Sequence, residues 1–388
     1  MELDPAVPTR VEFGRGGLDR IGAAARGHGT HALVVTGRTA ARTHGYLSRA
    51  LASLRAAGLR TTVYDRVSAN PRSDEVDEGA VLARRSGCDL VVGLGGGSAL
   101  DAAKCIAVTA CTGGPTGELV GVTLGRDTPV LPLLAVPTTA GSGSEVTKGA
   151  TITDTVRGFR SGVRGEVLFP RVAVVDPDLV ATLPRGVLAE TAFDAFAHAV
   201  EGSVARQATA ASRDRAREAV VLIADALPPL LRGEDSPAAR EALARAAVLG
   251  GVNVATAGTC LPHRLQQAMG SLPGLDVSHG RGLALLYPGW LRHTEERLTG
   301  GRHAGGPLAA APAAEEFAVL AELLGSDTVH EAAERLIASA GLGSRLRDRG
   351  VDAQDIDTLV RGVSGNLAND PVPDADADYL HTLYAEAW

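Results

Sequence analysis

Two textures of hydrophobic patterning divide the chain. Up to about residue 180, short apolar runs alternate with segments of helical period. HALVVTG (31–37) reads as a buried strand closed by a glycine, and YLSRALASLRAAG (46–58) as a helix that stops at Gly58. TTVYDRV (61–67) is the next strand. SDEVDEGAVLARRSG (73–87) opens with Ser73 as an N-cap and an acidic first turn, then runs helically to Gly87. CDLVVGLGGG (88–97) is strand then loop, and LPLLAVPTT (131–139) and RVAVVDPDL (171–179) are further strands. Such alternation predicts a mostly parallel sheet with helices on both faces.

After Thr182 no strand-like run of any length occurs. PRGVLAETAFDAFAHAVEG, SRDRAREAVVLIADALPPLL, PAAREALARAAVLGGVNVATAG, EEFAVLAELLG and HEAAERLIASAG all carry helical period. The expectation is therefore an α/β domain over 1–182 and an all-helical domain over 183–388. TGGRHAGGPLAAAPAAEE (299–316), rich in Gly, Ala and Pro, reads as a surface loop.

Composition narrows the class. A chain of 388 residues exceeds one ordinary core, and 45% apolar residues suffice for two. A net charge of −7 argues against nucleic acid or an anionic membrane as partner. Cys88, Cys105, Cys111 and Cys260 form no CxxC pair and read as reduced thiols of a reducing compartment. MELDPAVPTR carries no basic-then-apolar signal, and no apolar stretch approaches ~20 residues. A soluble, cytoplasmic protein is expected.

Chemistry enters with GLGGGSALDAAK (93–104). Glycines at the end of a parallel strand let backbone N–H groups approach an anion, and the following helix adds its dipole. Gly95, Gly96, Gly97 and Ser98 thus form a candidate pyrophosphate cradle, with Ser98 capping the helix and Asp101 three residues on, as in a capping box. A tight turn with nothing bound would read similarly. No GK[ST] follows, and the glycine spacing does not match GxGxxG. A second bare loop, VPTTAGSGSEVTK (136–148), offers Thr138, Thr139, Ser142 and Ser144 after another strand. Two such loops suit a long phosphate-bearing ligand at the carboxyl edge of a sheet.

In the helical half, FDAFAHAVEG sets Asp194 and His198 four apart, on one helix face. CLPHRLQQAMGSLPGLDVSHG adds His263 and His279. One carboxylate and three imidazoles suit a divalent transition metal such as iron(II) or zinc. An Asp–His pair on a helix also forms simple hydrogen bonds, so the pattern gains meaning only beside a cofactor site.

Together these segments resemble the iron-containing (group III) alcohol dehydrogenases. GGGSALDAAK is similar to their GGGSxxDxAK stretch and PTTAGSGSEVT to their second cofactor loop. FDAFAHAVEG and the pair His263/His279 resemble their metal-ligand segments, and VVDPDL is also typical. The resemblance implies a dinucleotide-binding domain, a helical catalytic domain and a cleft between them, with NAD(P)(H) as cofactor and often a homodimer. It implies Asp194, His198, His263 and His279 as metal ligands, Gly95, Gly96, Gly97 and Ser98 on the pyrophosphate, and Asp101, Thr138 and Thr139 lining the cofactor site. Hydride transfer asks for no protein nucleophile, and no Ser–His or Cys–His arrangement demands one.

Three departures stand out. A histidine common four residues after the third ligand is here Gln267, which can touch substrate but cannot act as an acid. The His263–His279 separation is longer than usual. The acidic residue that often follows the first strand is replaced by Gly37, with Arg38 next, so NADPH is expected to be accepted at least as well as NADH. For the substrate, Lys148 closes the second loop. Gly149 and Val254 stand where relatives can carry larger side chains, Arg264 follows a ligand, and Arg160 and Arg164 lie in what reads as a loop. A small aldehyde bearing a carboxylate, phosphate or phosphonate is the expectation. The competing readings are a dehydroquinate synthase-like cyclase, whose first metal ligand is normally Glu and whose site is lysine-rich, and a non-catalytic nucleotide-binding protein of the same fold.

Overall fold

A computed structural model describes residues 3–234, 236–272, 274–275, 277–300 and 311–388. The chain divides into two compact units, Met1–Leu183 and Pro184–Trp388.

The first unit holds a six-stranded parallel sheet in the order β1-β8-β5-β4-β2-β3. Its strands are β1 (Arg10–Phe13), β2 (His31–Gly37), β3 (Arg60–Val67), β4 (Leu90–Gly95), β5 (Leu133–Pro137) and β8 (Val172–Val175). The intervening β6 (Gly149–Asp154) and β7 (Phe159–Arg164) form a separate antiparallel ribbon. The helices are α1 (Ile21–Ala25), α2 (Ala40–Thr43), α3 (Tyr46–Ala56), α4 (Ser73–Ser86) and α5 (Gly97–Thr112). Central strands are buried almost throughout because both faces are covered. Val34, Val92, Leu94, Leu134 and Val174 pack with Ala50 and Leu54 of α3, while Leu33, Val35 and Val91 pack with Val76 of α4 and Ile106 of α5. The chain runs from β2 to β3 on one side and then crosses β2 to β4 on the other. That reversal opens a crevice at the carboxyl ends of β2 and β4, where open α/β sheets bind ligands.

Several local expectations change. Ser73 does not cap α4: the N-cap is Arg72, and the Ser73 hydroxyl instead accepts from the Thr155 N–H at 3.1 Å. At the other end Gly87 does close α4 in the left-handed conformation, φ 64°. The expected loop at 299–316 gives way to helix at both of its ends. Residues 301–310 lie outside the described ones, Thr299 and Gly300 end one helix, and Ala311 begins the next. Arg160 and Arg164 stand on strand β7 rather than in a loop.

The second unit is helical among its described residues: α6 (Arg185–Val204), α7 (Ala210–Leu231), α8 (Pro237–Thr256), α9 (Leu261–Ala268), α10 (His279–Gly300), α11 (Ala311–Leu323), α12 (Val329–Ser339), α13 (Ile356–Gly362) and α14 (Ala377–Ala387). Every residue of α6 from Ala192 to Val204 is buried, so this helix runs through the core. Phe193 and Phe196 pack edge-on against Tyr287 of α10, with centroids 5.5 and 6.4 Å away. No helix among the described residues is long and apolar enough to cross a membrane.

Candidate functional site

The helical unit brings Asp194, His198, His263 and His279 to one point. The Asp194 Oδ1 lies 3.6 Å from His198 Nε2, 3.6 Å from His263 Nε2 and 3.4 Å from His279 Nε2. The His198 and His263 rings stack at 4.7 Å. Asp194, His263 and His279 each aim one ligand atom into a cluster within 4.8 Å. Two glycines permit the convergence. A Cβ on Gly280 would sit 2.0 Å from the Glu190 carbonyl oxygen, so only glycine lets the first turn of α10 press His279 against α6. A Cβ on Gly250 would lie 3.1 Å from the His198 Cβ, tightening α8 onto α6.

These residues fit a metal ion. Asp194 Oδ1 and His263 Nε2 are buried and make no hydrogen bond, although they are 3.6 Å apart. Four N/O ligands at ~2.1 Å from a tetrahedral ion would stand about 3.4 Å from one another, close to the spacing seen. The tautomers agree. His263 Nδ1 donates to both Glu201 oxygens at 2.8 and 2.9 Å, and His279 Nδ1 donates to Gln266 Oε1, which leaves each Nε2 lone pair for the ion. Burial alone would raise the Asp194 pKa, but the surrounding imidazoles hold it well below the usual carboxylate range. Burial pushes His198 down to about 4, despite Asp194, so it stays a neutral ligand. Burial opposes charge on His263 too, yet Glu201 and Asp194 outweigh it and raise the pKa to about 9. The centre calls for a cation.

Sequence reasoning missed the support behind this cluster. Glu201, fully buried, also accepts from the Cys260 N–H at 2.6 Å, so one carboxylate orients a ligand and fixes the start of its helix. Asp370 accepts from the Leu261 N–H at 2.9 Å and from Trp290 Nε1 at 3.0 Å, tying α9 to the C-terminal segment. Burial raises the Asp370 pKa to about 6. Glu201 stands inside the quoted FDAFAHAVEG stretch, but nothing local there shows that its partner is 62 residues away.

In the first unit, a cavity of about 380 Å³ opens where the strands reverse, lined among others by Gly37, Arg38, Gly95, Gly96, Ser98 and Thr138. Cradle residues also hold one loop close to the other. A Cβ on Gly97 would lie 2.8 Å from the Ser142 Cβ, and one on Gly96 3.2 Å from the Thr139 Cγ2. Asp101 accepts from the Ser144 hydroxyl at 2.6 Å and from the Thr151 N–H at 2.8 Å. The bare backbone is therefore needed first to let two loops touch. The expected capping box does not form: Gly96 is the N-cap of α5 with no side-chain cap, and the Ser98 hydroxyl donates to the Ala69 carbonyl. Arg38 is not a lone cation. Its guanidinium meets Glu75 at 3.0 Å and the Arg66 carbonyl at 3.2 Å.

The remaining candidates scatter. Gln267 Oε1 accepts from Arg264 at 3.1 Å, and Arg264 also donates to Thr259 at 2.7 Å. Lys148 is exposed; Gly149 opens β6, where a Cβ would meet only the Val163 carbonyl oxygen at 3.8 Å. Val254 is half-buried on α8.

Two family models match the chain: iron-containing alcohol dehydrogenase over residues 8–177, and the C-terminal model of the Fe-containing alcohol dehydrogenase family over 188–387. The chain is similar to the NAD-dependent methanol dehydrogenase of Bacillus methanolicus, 30% identical over 378 residues that span 95% of this chain and 94% of the relative. The crystal structure of a 1,3-propanediol oxidoreductase is 29% identical and aligns over 100% of both chains with a TM-score of 0.88. That of sulfoacetaldehyde reductase from Bifidobacterium kashiwanohense, in complex with NAD+, is 27% identical, covers 100% of this chain and 99% of the other, and has a TM-score of 0.81.

Proposed function

We propose, from the premise that this chain belongs to the iron-containing alcohol dehydrogenase family, that it is a metal-dependent, NAD(P)-linked reductase of a small aldehyde carrying an oxoanion, running in reverse as an alcohol dehydrogenase. The observation that carries the reading is the convergence of Asp194 Oδ1 and three imidazole Nε2 atoms at 3.4–3.6 Å, with the tautomers of His263 and His279 fixed from behind. Asp194, His198, His263 and His279 would hold the ion, iron(II) or zinc. When bound, the ion polarises the substrate oxygen as a Lewis acid and the nicotinamide carries the hydride.

The chain's own residues do the rest. Gly95, Gly96 and Ser98, at the N-terminus of α5 and on the cavity wall, suit the pyrophosphate. Gly37 places no carboxylate beside the adenosine ribose, and Arg38 can turn from Glu75 to a 2′-phosphate, so NADPH is accepted at least as well as NADH. Gln267 has no titratable proton, and its carbonyl oxygen is taken by Arg264. Gln267 therefore cannot supply the proton of the product alcohol as a titrating acid. The reductase of sulfoacetaldehyde among the structural neighbours supports an anionic substrate. The test is NADH and NADPH oxidation by the iron-loaded protein against neutral and anionic aldehydes of matched size. Net oxidation of both cofactors, fastest with the anionic aldehydes, is expected. No net oxidation with any aldehyde would overturn the reading.

A further inference from the structure

The wall of the cofactor cavity carries a charge whose partner stands behind it. Among the described residues that line the cavity, Arg38 is the one charged side chain. Its guanidinium, 65% exposed, donates through Nη2 to Glu75 Oε1 at 3.0 Å and through Nε to the Arg66 carbonyl at 3.2 Å. Glu75 is itself buried and does not line the cavity. Its second oxygen, Oε2, accepts from the Ser68 N–H at 3.1 Å and from the Ser68 hydroxyl at 2.8 Å. Ser68 is again a wall residue. Arg38, Ser68 and Glu75 all belong to the first unit.

The two oxygens of Glu75 have different tasks. Oε2, with two donors, anchors the carboxylate to the turn after β3. Glu75 also sits in the first turn of α4, where the helix N-terminus favours a negative charge. Oε1 accepts from Arg38 alone among the described residues. If the guanidinium leaves Oε1, the carboxylate keeps both Ser68 donors, and Arg38 keeps the Arg66 carbonyl. Arg38 can therefore change one anion for another without disturbing the loop. An ion pair with so exposed a guanidinium contributes little. A phosphate offers the same guanidinium paired acceptor oxygens.

We propose that Glu75 is a positioning residue that sets the balance between the two nicotinamide cofactors, by competing with the 2′-phosphate of NADPH for the Arg38 guanidinium. With NADH, Arg38 stays on Glu75, and the ribose hydroxyl faces a pair that is close to neutral. With NADPH, the phosphate takes the guanidinium while Ser68 retains Glu75. NADPH then gains only the difference between two anionic partners of one arginine. A buried acid behind the wall thus keeps both cofactors usable, where an arginine without a partner would favour NADPH strongly. The inference rests on the reading of this cavity as the dinucleotide site, with Arg38 at the 2′-phosphate.

The test is binding to the full chain, free of any need for turnover. NADPH and NADH are titrated by fluorescence, and adenosine 2′,5′-bisphosphate and ADP by calorimetry. Glu75→Gln keeps the shape and removes the charge. It should tighten NADPH and the 2′,5′-bisphosphate by about three- to tenfold, with NADH and ADP within about twofold of wild type. Glu75→Asp keeps the charge but is one methylene too short to span from Ser68 to Arg38, and should give part of the same gain. Arg38→Met should weaken NADPH and spare NADH, and adding Glu75→Gln to it should recover less than about twofold. An undiminished gain on the Arg38→Met background would mean plain repulsion of the phosphate by Glu75, and would overturn the competition. An equal change for NADPH and NADH in both Glu75 variants would reduce Glu75 to a support of the turn and overturn it as well. Wild-type chain that binds NADH and NADPH, with an affinity ratio that neither Glu75 variant moves, overturns this inference alone. Wild-type chain that binds neither removes the dinucleotide reading and the inference together.

Discussion

In the first unit the cavity wall is made largely of residues with little side chain, Gly37, Gly95, Gly96 and Thr138 among them. In the second, three imidazoles crowd around one Asp194 carboxylate oxygen within 3.6 Å, backed by the buried Glu201. The first depends on backbone approach and the second on donor atoms. The first should therefore be damaged by adding atoms and the second by removing them. Each should fail without disturbing the other's ligand.

The sharpest test removes a ligand. His279→Ala should lower turnover by more than about a hundredfold and strip the metal, while NAD(P)H binding persists. Metal analysis and fluorescence titration of the cofactor read the two separately; full activity in a metal-free preparation would break the comparison. Gly280→Ala is the exception that sharpens it. Its Cβ would meet the Glu190 carbonyl at 2.0 Å, so this addition should displace His279 and approach the same metal loss. Glu201→Gln keeps the shape but not the charge behind His263, and should weaken metal affinity by about ten- to a hundredfold in a chelator competition. Gly97→Ala, with its Cβ 2.8 Å from Ser142, should cost about 1–3 kcal/mol in denaturant melts and weaken NAD(P)H, with metal content unchanged. The smallest effect belongs to Gly37→Asp. A Cβ there has room, 3.7 Å from the Val67 carbonyl oxygen, so the new carboxylate should shift the NADPH/NADH ratio of kcat/KM toward NADH by about tenfold without loss of stability.

Legibility in the sequence followed the same divide between continuous and assembled features. β2 was readable to its ends, His31–Gly37, because a strand buried on both faces is an unbroken apolar run. β6 and β7 were not, because a ribbon with one polar face carries too few apolar residues to stand out. Ser73 and Ser98 satisfy every local rule for a cap, but Thr155 and Ala69, distant in sequence, take their hydroxyls. The four candidate ligands could be named because each sits in a recognisable stretch. Glu201, Gln266 and Asp370 could not be assigned, since each role exists only once another helix arrives.

Asp370 has a consequence in time. It holds the first turn of the His263 helix and the Trp290 indole, yet it follows Leu261 by 109 residues. Chains emerge from the ribosome N-terminus first. While this segment is still inside the exit channel, His263 lacks its full support, although Asp194 and His198 have long been exposed. All four candidate ligands therefore precede in the chain the carboxylate that steadies one of their helices. A chain broken before Asp370 would keep every ligand but hold the His263 helix less firmly, and should bind the metal more weakly.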